Sequence, residues 1–539
     1  MYTRAAVLAV YFIAVLALGL LARSRLKDSP SQYFLAGRGL STFVLIGTMA
    51  ATNFSAFTVF GASGAGYRDG LAFFPIMAFG TGFMALTFWL LGRRIWELGR
   101  KHQLITPAEL VGAIYHNRAL SALFALVMVV FTIPYIALQP LAGGKVLGQL
   151  FNIPPWTGAV LVTLIILAYT LRGGLKAVAW TDVLQGLIML VLMIVALGMV
   201  TSHYGGWLES FDRLRASQPA LFSRPGPRGV YGPGVWFGFL LLWFFCDPMF
   251  PQLFQRFYSA RRQKSLAKTM LFYPLVCTVV FALPISLGML GHFDFAHLTG
   301  RAADNIVPLL MGKVGGDLMG TLVLAAGLAA LMSTMDSQLL TLSSIFSRDL
   351  VPLVTGGRPA GALASRVFVA ALALAGLLVA IFSDATILSL GLTAFTGLAA
   401  LFPTVFFGLY LKNPRPAAAI ASIVVGESLA VAYHLKWLPA FGFLPAVWVI
   451  AAAVVVYLLV HVLTGPLGLP ALQARPLGFA VGFGLIFVAA QDFWRWGRVG
   501  DIVLGWPTWA WYFVGLSALQ TLLMLWWVRS DPAPAVSEP

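Results

Sequence analysis

LVLAAGLAALMSTMDSQLLTLSSIFSRDL, residues 322–350, opens as an apolar run with Ala and Gly at close spacing and turns polar in its middle. Ser333, Thr334, Asp336, Ser337 and Gln338 cluster there, and Thr341, Ser343 and Ser344 follow. A carboxylate among hydroxyls inside a membrane-length helix is expensive and by default marks an ion or solute path. Residues three or four apart share a helix face, so Ser333, Asp336 and Ser337 can point at one place. Hydroxyls, carbonyls and a carboxylate are the oxygen set that hard cations take. The competing reading is helix–helix glue, since Ser and Thr commonly bond across membrane helices.

The surrounding chain sets the medium. Of 539 residues, 60% are hydrophobic and 10% charged, whereas about a quarter are charged in an ordinary soluble domain. Thirteen apolar segments are plain, at 5–23, 40–66, 71–92, 119–149, 154–171, 181–200, 233–254, 269–291, 318–346, 366–383, 385–410, 416–435 and 442–463. Two more follow, a short one at 477–491 and a longer one at 507–528. The fold class is therefore all-α and polytopic in a lipid bilayer, with about fifteen spans if both of the last two cross. The first segment lacks a small-residue cleavage site and reads as a retained helix. The tail from 529 to 539 is polar and Pro-rich and is expected to be disordered.

A net charge of +16 would suggest nucleic acid in a soluble protein, but the basic residues fall in alternate loops. Arg23, Arg25, Lys27 and Arg38, then Arg93, Arg94, Arg100, Lys101 and Arg118, then Arg256, Arg261, Arg262, Lys264 and Lys268 are assigned to one face. The positive-inside bias puts that face in the cytoplasm of a plasma membrane, the N-terminus outside and the C-terminus inside. No nucleic-acid partner is implied. Enzyme signatures are poor: HExxH, GxSxG and a Walker loop are missing, and the seven histidines show no ligand spacing. Cys246 and Cys277 both lie in apolar segments, so neither a disulfide framework nor a metal cluster follows.

Two segments are built oddly. In the second, MAATNFSAFTVFGASGAGY, Thr52, Asn53, Ser55 and Thr58 interrupt the apolar run ahead of Gly61, Ser63, Gly64 and Gly66. In the seventh, LLLWFFCDPMFPQLFQR, Asp247-Pro248 and Pro251 stand where a span should be smooth, and proline breaks or kinks a helix. Non-helical backbone at membrane depth survives where it is buried in protein or lines a cavity. The two stand five segments apart, the layout of an inverted-repeat transporter with a central site. The acids inside spans are Asp182, Asp247, Asp336 and Glu427. Asp182 can be read as a helix cap or an ion ligand, Asp247 as a turn residue or a cavity residue, and Glu427 as structural.

At this point the runs YFLAGRGL (33–40), ATNFSA (51–56), TPAEL (106–110), GGLKAVAWTDVLQG (173–186), FQRFYSAR (254–261) and ALMSTMDSQLLTLSSIFSRDL (330–350) carry a family likeness. The chain resembles the sodium:solute symporters, which include sodium-coupled sugar, proline, pantothenate and sialic acid carriers. The resemblance implies a LeuT-type fold of two inverted five-helix repeats, at about 40–200 and 233–410 within a symporter domain of 1–465; residues 466–528 would add two further hydrophobic segments. It implies a sodium site made by the carbonyls of Ala51, Phe54 and Ala330 with the hydroxyls of Ser333 and Thr334. Some members have a second sodium site, matched here by Asp182, Asp336 and Ser337; the acid at 336 replaces a hydroxyl of several relatives, and could strengthen that site, bind a proton or form a local salt bridge. Ser55, Phe57, Thr58, Gln139, Cys246 and Asp247 are candidate solute contacts, joined by Phe395, which aligns with a cavity position of the sugar carriers, and by Pro251, which matches a proline of the proline carriers. The expected activity is sodium-coupled symport of a small organic solute, an amino acid or carboxylate, into the cell. The alternatives are proton coupling, or a transporter-like sensor that reports solute to a separate partner.

Overall fold

The computed structural model describes residues 2–22, 29–466, 468 and 474–530. Arg23, Arg25 and Lys27 of the first basic loop and residues 531–539 of the expected disordered tail lie outside the described residues. The main helices are α1 (Tyr2–Ala22), α2 (Thr42–Asn53), α3 (Ala62–Asp69), α4 (Phe73–Met84), α5 (Arg118–Phe151), α6 (Pro155–His203), α7 (Pro233–Cys246) and α8 (Pro251–Ser259). They are followed by α9 (Gln263–Leu290), α10 (Gly316–Ile345), α11 (Ala362–Phe382), α12 (Ile387–Ala400), α13 (Pro416–His434), α14 (Pro445–Leu463), α15 (Ala474–Ala489) and α16 (Thr508–Ser530). A short hairpin pairs Ile502–Val503 with Trp506–Pro507.

Helix starts follow the local chemistry. The Asn117 side chain accepts from the Leu120 amide at 2.9 Å and opens α5. Thr106 and Glu109 cap each other's backbone ahead of Pro107–Tyr115, a capping box with proline at the first helical position. Thr386 Oγ1 accepts from the Ser389 amide at 3.1 Å and opens α12. The longest run, α6, has 49 residues. Straight, it would reach roughly 74 Å, more than twice the about 30 Å of a bilayer core. Gly174, at φ 63° and ψ −178°, divides it.

Among the described residues, twelve helices are long and apolar enough to cross a membrane, and thirteen when the bent pair α7–α8 is one span. The sequence reading had fifteen segments. Two account for the difference: Pro155–Ala168 is a shorter apolar helix, and the part of segment 40–66 beyond the break is continuous with segment 71–92 as Phe57–Lys101. That stretch turns at Gly70, where φ is 69° and a Cβ would sit 2.1 Å from the Leu221 carbonyl oxygen.

Both predicted interruptions are present. The helix of α2 stops at Asn53, Phe54 takes φ −85° and ψ 84°, and the chain resumes as a π-turn over Phe57–Gly61 that leads into α3. After α7 the chain makes a short 3-10 turn over Asp247–Met249, and Phe250 takes φ −60° and ψ 123° before Pro251 starts α8. The two axes differ there by 56°. α10, which carries the polar cluster, packs on α1, α2, α5, α6 and α8, and every residue from Val323 to Ile345 is buried. A helix buried on all sides can carry polar groups only if other helices satisfy them.

The last two helices also belong to the packed body. α16 lies along α4 and α9, with α15 beside it. Above them the loop 204–232 folds as a short helix, Trp207–Ser217, and coil. Its Arg224 is fully buried and donates to Asp492 Oδ2 at 2.7 Å. The guanidinium carbon lies 4.7 to 5.7 Å from the ring centres of Trp509, Trp496, Trp236 and Phe513, the arrangement that favours cation–π attraction.

Candidate ion and solute site

The end of α2 meets α10 through oxygen atoms. Ser333 Oγ donates to the carbonyls of Ala51 and Ala330, both at 3.0 Å. Thr334 Oγ1 lies 3.0 Å from the Thr52 carbonyl and 3.3 Å from that of Ala330. The Ala51 and Thr52 carbonyls are free acceptors because α2 ends here, so the last turn has no following amides to bind them. Ala330, by contrast, lies inside α10, and its carbonyl receives the hydroxyls as an additional contact. Four of the five residues assigned to the main sodium site, Ala51, Ala330, Ser333 and Thr334, therefore converge. The Phe54 carbonyl is not an acceptor in this cluster; Thr52 O takes that part.

The second group is divided. Asp182 Oδ2 accepts from Thr48 Oγ1 at 2.5 Å, from Thr52 Oγ1 at 2.9 Å and from Arg256 Nη2 at 2.8 Å. Arg256 Nη2 also reaches Ser337 Oγ at 2.7 Å, its Nε reaches Thr48 Oγ1 at 2.8 Å and its Nη1 reaches the Gln252 carbonyl at 2.8 Å. Arg256 was grouped with the inner-loop cations from its place in the sequence; it is 0% exposed and stands in the interior. An ionised carboxylate buried without a counter-charge is costly, and this arginine supplies the charge at the place matched to a second cation site. Asp336 faces elsewhere: its Oδ1 accepts from Thr170 Oγ1 of α6 at 2.7 Å. Thus Asp182 and Ser337 share one cluster, and Asp336 belongs to another.

The two breaks enclose aromatic side chains. Phe57 packs against Trp243 and Phe395, with ring centres 5.8 and 5.7 Å apart, and Trp243 packs against Phe395 at 5.5 Å. Tyr135 meets Phe395 at 5.0 Å and Phe250 at 5.1 Å, and Phe250 meets Phe395 at 5.2 Å. Gln139 Oε1 accepts the Ala56 amide at 3.2 Å, and Ser55 Oγ accepts the Phe57 amide at 3.1 Å. Asp247 accepts from Asn53 Nδ2 and from Cys246 Sγ, both at 3.3 Å. Among the candidate solute contacts, Ser55, Phe57, Gln139, Cys246, Asp247 and Phe395 therefore gather around the breaks, and Pro251 starts α8 directly after Phe250. Thr58 points away, into a small cleft with Met189, Met193 and Leu283.

Trp243, Phe250 and Tyr135 were not singled out in the sequence, and Asn53 stood out only as an interruption of the second segment. An aromatic residue inside an apolar segment gives no signal of its own, because core packing uses the same residues. Arg256 could have been found: a buried acid at 182 requires a cation, and the FQRFYSAR run offers one beside a broken helix.

Residues 33–426, well over half of the chain, match the family described as the sodium:solute symporter family. The chain belongs to this family. The sodium:solute symporter is 28% identical over 404 residues to the sodium/pantothenate symporter of Haemophilus influenzae, covering 74% of this chain and 83% of that one. It is 27% identical over 449 residues to the sodium/proline symporter of Staphylococcus aureus strain JH9, covering 80% and 85% of the two chains. A solved structure of a Na+-coupled sialic acid symporter in a substrate-bound outward-open state superposes with a TM-score of 0.72 at 19% identity, over 88% of this chain and all of that one. That likeness establishes the fold, the LeuT-type architecture that the family resemblance implied. The symporter is a secondary active transporter of a small solute, and sodium is its coupling ion.

Proposed function

We propose that this symporter moves an amino acid or carboxylate into the cell, with sodium held by the Ser333 and Thr334 hydroxyls and by carbonyls at the end of α2 and on α10. The observation that carries this reading is the meeting of the two hydroxyls with the Ala51, Thr52 and Ala330 carbonyls at 3.0 to 3.3 Å. Each hydroxyl can turn its proton away and present oxygen to a cation, so Ser333 and Thr334 can change from hydrogen bonding to coordination by rotating a proton. A sodium ion there ties α2 to α10. It can drive transport only by binding one conformation more tightly than the other. With an inside-negative potential, each charge carried inward adds about 2.3 kcal/mol per 100 mV.

The Phe54 carbonyl, one residue past the helical part of α2, completes the proposed ligand set once the tip of the break turns toward the ion. Asp182 and Ser337 serve a second cation only in a state in which Arg256 has left them. Solute binds between the two breaks, against Ser55, Phe57, Gln139, Cys246, Asp247 and Phe395. The plasma membrane is the proposed location, with the N-terminus outside and the C-terminus inside, and residues 1–465 form the transport domain. Uptake of labelled amino acids and carboxylates into proteoliposomes, with and without an inward sodium gradient, tests the reading. Accumulation that requires the gradient is expected; equal uptake without it would remove the proposal.

A further inference from the structure

Asp247 is 1% exposed at the break after α7. Its oxygens receive two neutral donors, Asn53 and Cys246, and among the described residues no Lys, Arg or His pairs with it. Other buried acids of this chain are treated differently. Asp69 is held by Arg228 at 2.7 Å, Asp182 by Arg256 at 2.8 Å, Asp304 by Arg68 at 2.9 Å and Asp492 by Arg224 at 2.7 Å. An ionised carboxylate without a cation is costly in such surroundings. At these four acids arginine meets that need, and at Asp247 it does not.

The neighbours of Asp247 are suited to one kind of guest. Trp243 stands four residues earlier, on the same face of α7. The Tyr135 side chain lies beside Ser55, with Asp247 and Cys246 nearby. From Tyr135 the rings of Phe250, Phe395, Trp243 and Phe57 continue in contact. Ring faces attract cations, and quaternary or protonated amines are held by such faces beside a carboxylate. An anionic solute without an amine would instead place like charge next to Asp247 in a medium that strengthens the repulsion.

We infer that the solute of this symporter carries a cationic nitrogen, with Asp247 as its counter-ion and the rings of Phe57, Tyr135, Trp243, Phe250 and Phe395 around its apolar part. The inference rests on the reading that the solute binds between the two breaks, and of the two classes proposed above it selects the amine-bearing one. An amino acid satisfies it through its ammonium group; a simple carboxylate does not.

The experiment uses the purified full-length symporter in sodium buffer, with thermal shift and tryptophan fluorescence as readouts. Probes are matched trios on aliphatic, cyclic and aromatic bodies: the α-amino acid, its des-amino carboxylate and its decarboxylated amine. Amine-bearing members are expected to bind, and des-amino members to bind at least tenfold more weakly. Asp247→Asn should weaken the amine-bearing probes at least tenfold while the shift caused by sodium alone is kept, which also shows that the variant is folded. Binding of a des-amino carboxylate as tight as that of its amine-bearing partner would overturn the inference. So would wild-type amine affinity in Asp247→Asn, or loss of the sodium response in that variant with amine binding intact, since Asp247 would then be a sodium ligand. Sodium-driven uptake is measured separately, so a failure of coupling is recognised there and not mistaken for a failure of the counter-ion.

Discussion

Ser333 and Thr334 each face two carbonyls, so neither hydroxyl is replaceable by a methyl group without loss of an oxygen. At about 1 kcal/mol for each of the two lost hydroxyl ligands, the double substitution Ser333→Ala with Thr334→Ala should raise the half-saturating sodium concentration about thirtyfold. Initial uptake rates over a sodium series give the number, and an unchanged value would move the ion site elsewhere. Arg256 and Asp182 make a different prediction. Removing one member of a buried ion pair costs about 3–5 kcal/mol, and removing both costs less. Arg256→Met and Asp182→Asn should each lower the melting temperature of the detergent-purified protein, and the double variant should recover part of the loss. Melting temperatures of all three against wild type decide it; additive losses would mean that the pair is not coupled.

Helices α3 and α9 approach until side chains have no room. A Cβ at Gly66 would lie 2.5 Å from the Ile285 carbonyl oxygen, and one at Gly288 would lie 2.0 Å from that of Ser63. Gly515, in α16, has open space. Gly288→Ala should therefore reduce the yield of monodisperse protein on size exclusion severalfold, while Gly515→Ala leaves it unchanged. Elements of this kind were unequally legible in the sequence. The break after α7 could be read from Asp247-Pro248 and Pro251, because proline removes a donor and clashes with the preceding turn. The break after α2 was visible only as Thr52, Asn53 and Ser55 in an apolar run, and its position at Phe54 needed the packed structure. Ser333 and Thr334 declared themselves by chemistry in the wrong solvent. The Asp336 side chain could not be placed: spacing put it on the face of Ser333, but α10 is buried all round, and Thr170 lies opposite it. The aromatic rings between the breaks were hidden among ordinary core residues.

Across the whole molecule, α16 lies on α4 and α9 with α15 beside it, and the segment between them reaches the loop 204–232 through Asp492 and Arg224. Asp492→Leu should lower the melting temperature, because Arg224 keeps its charge and loses its partner. It should change the half-saturating sodium concentration less than twofold, since the hydroxyl cluster of α10 is built from other helices. A large shift in sodium affinity would instead show that the last helices control the ion site. The same ion pair also bears on how the chain is made. Arg224 is synthesised 268 residues before Asp492, and at about 5–20 residues per second this leaves roughly 13–54 s between them. During that interval the loop 204–232 holds an arginine whose counter-charge and Trp496 and Trp509 rings do not yet exist. Its final packing is thus a late event of biogenesis, and a ribosome stalled before residue 492 would leave in the membrane a nascent chain whose loop 204–232 still lacks the partners that seal it.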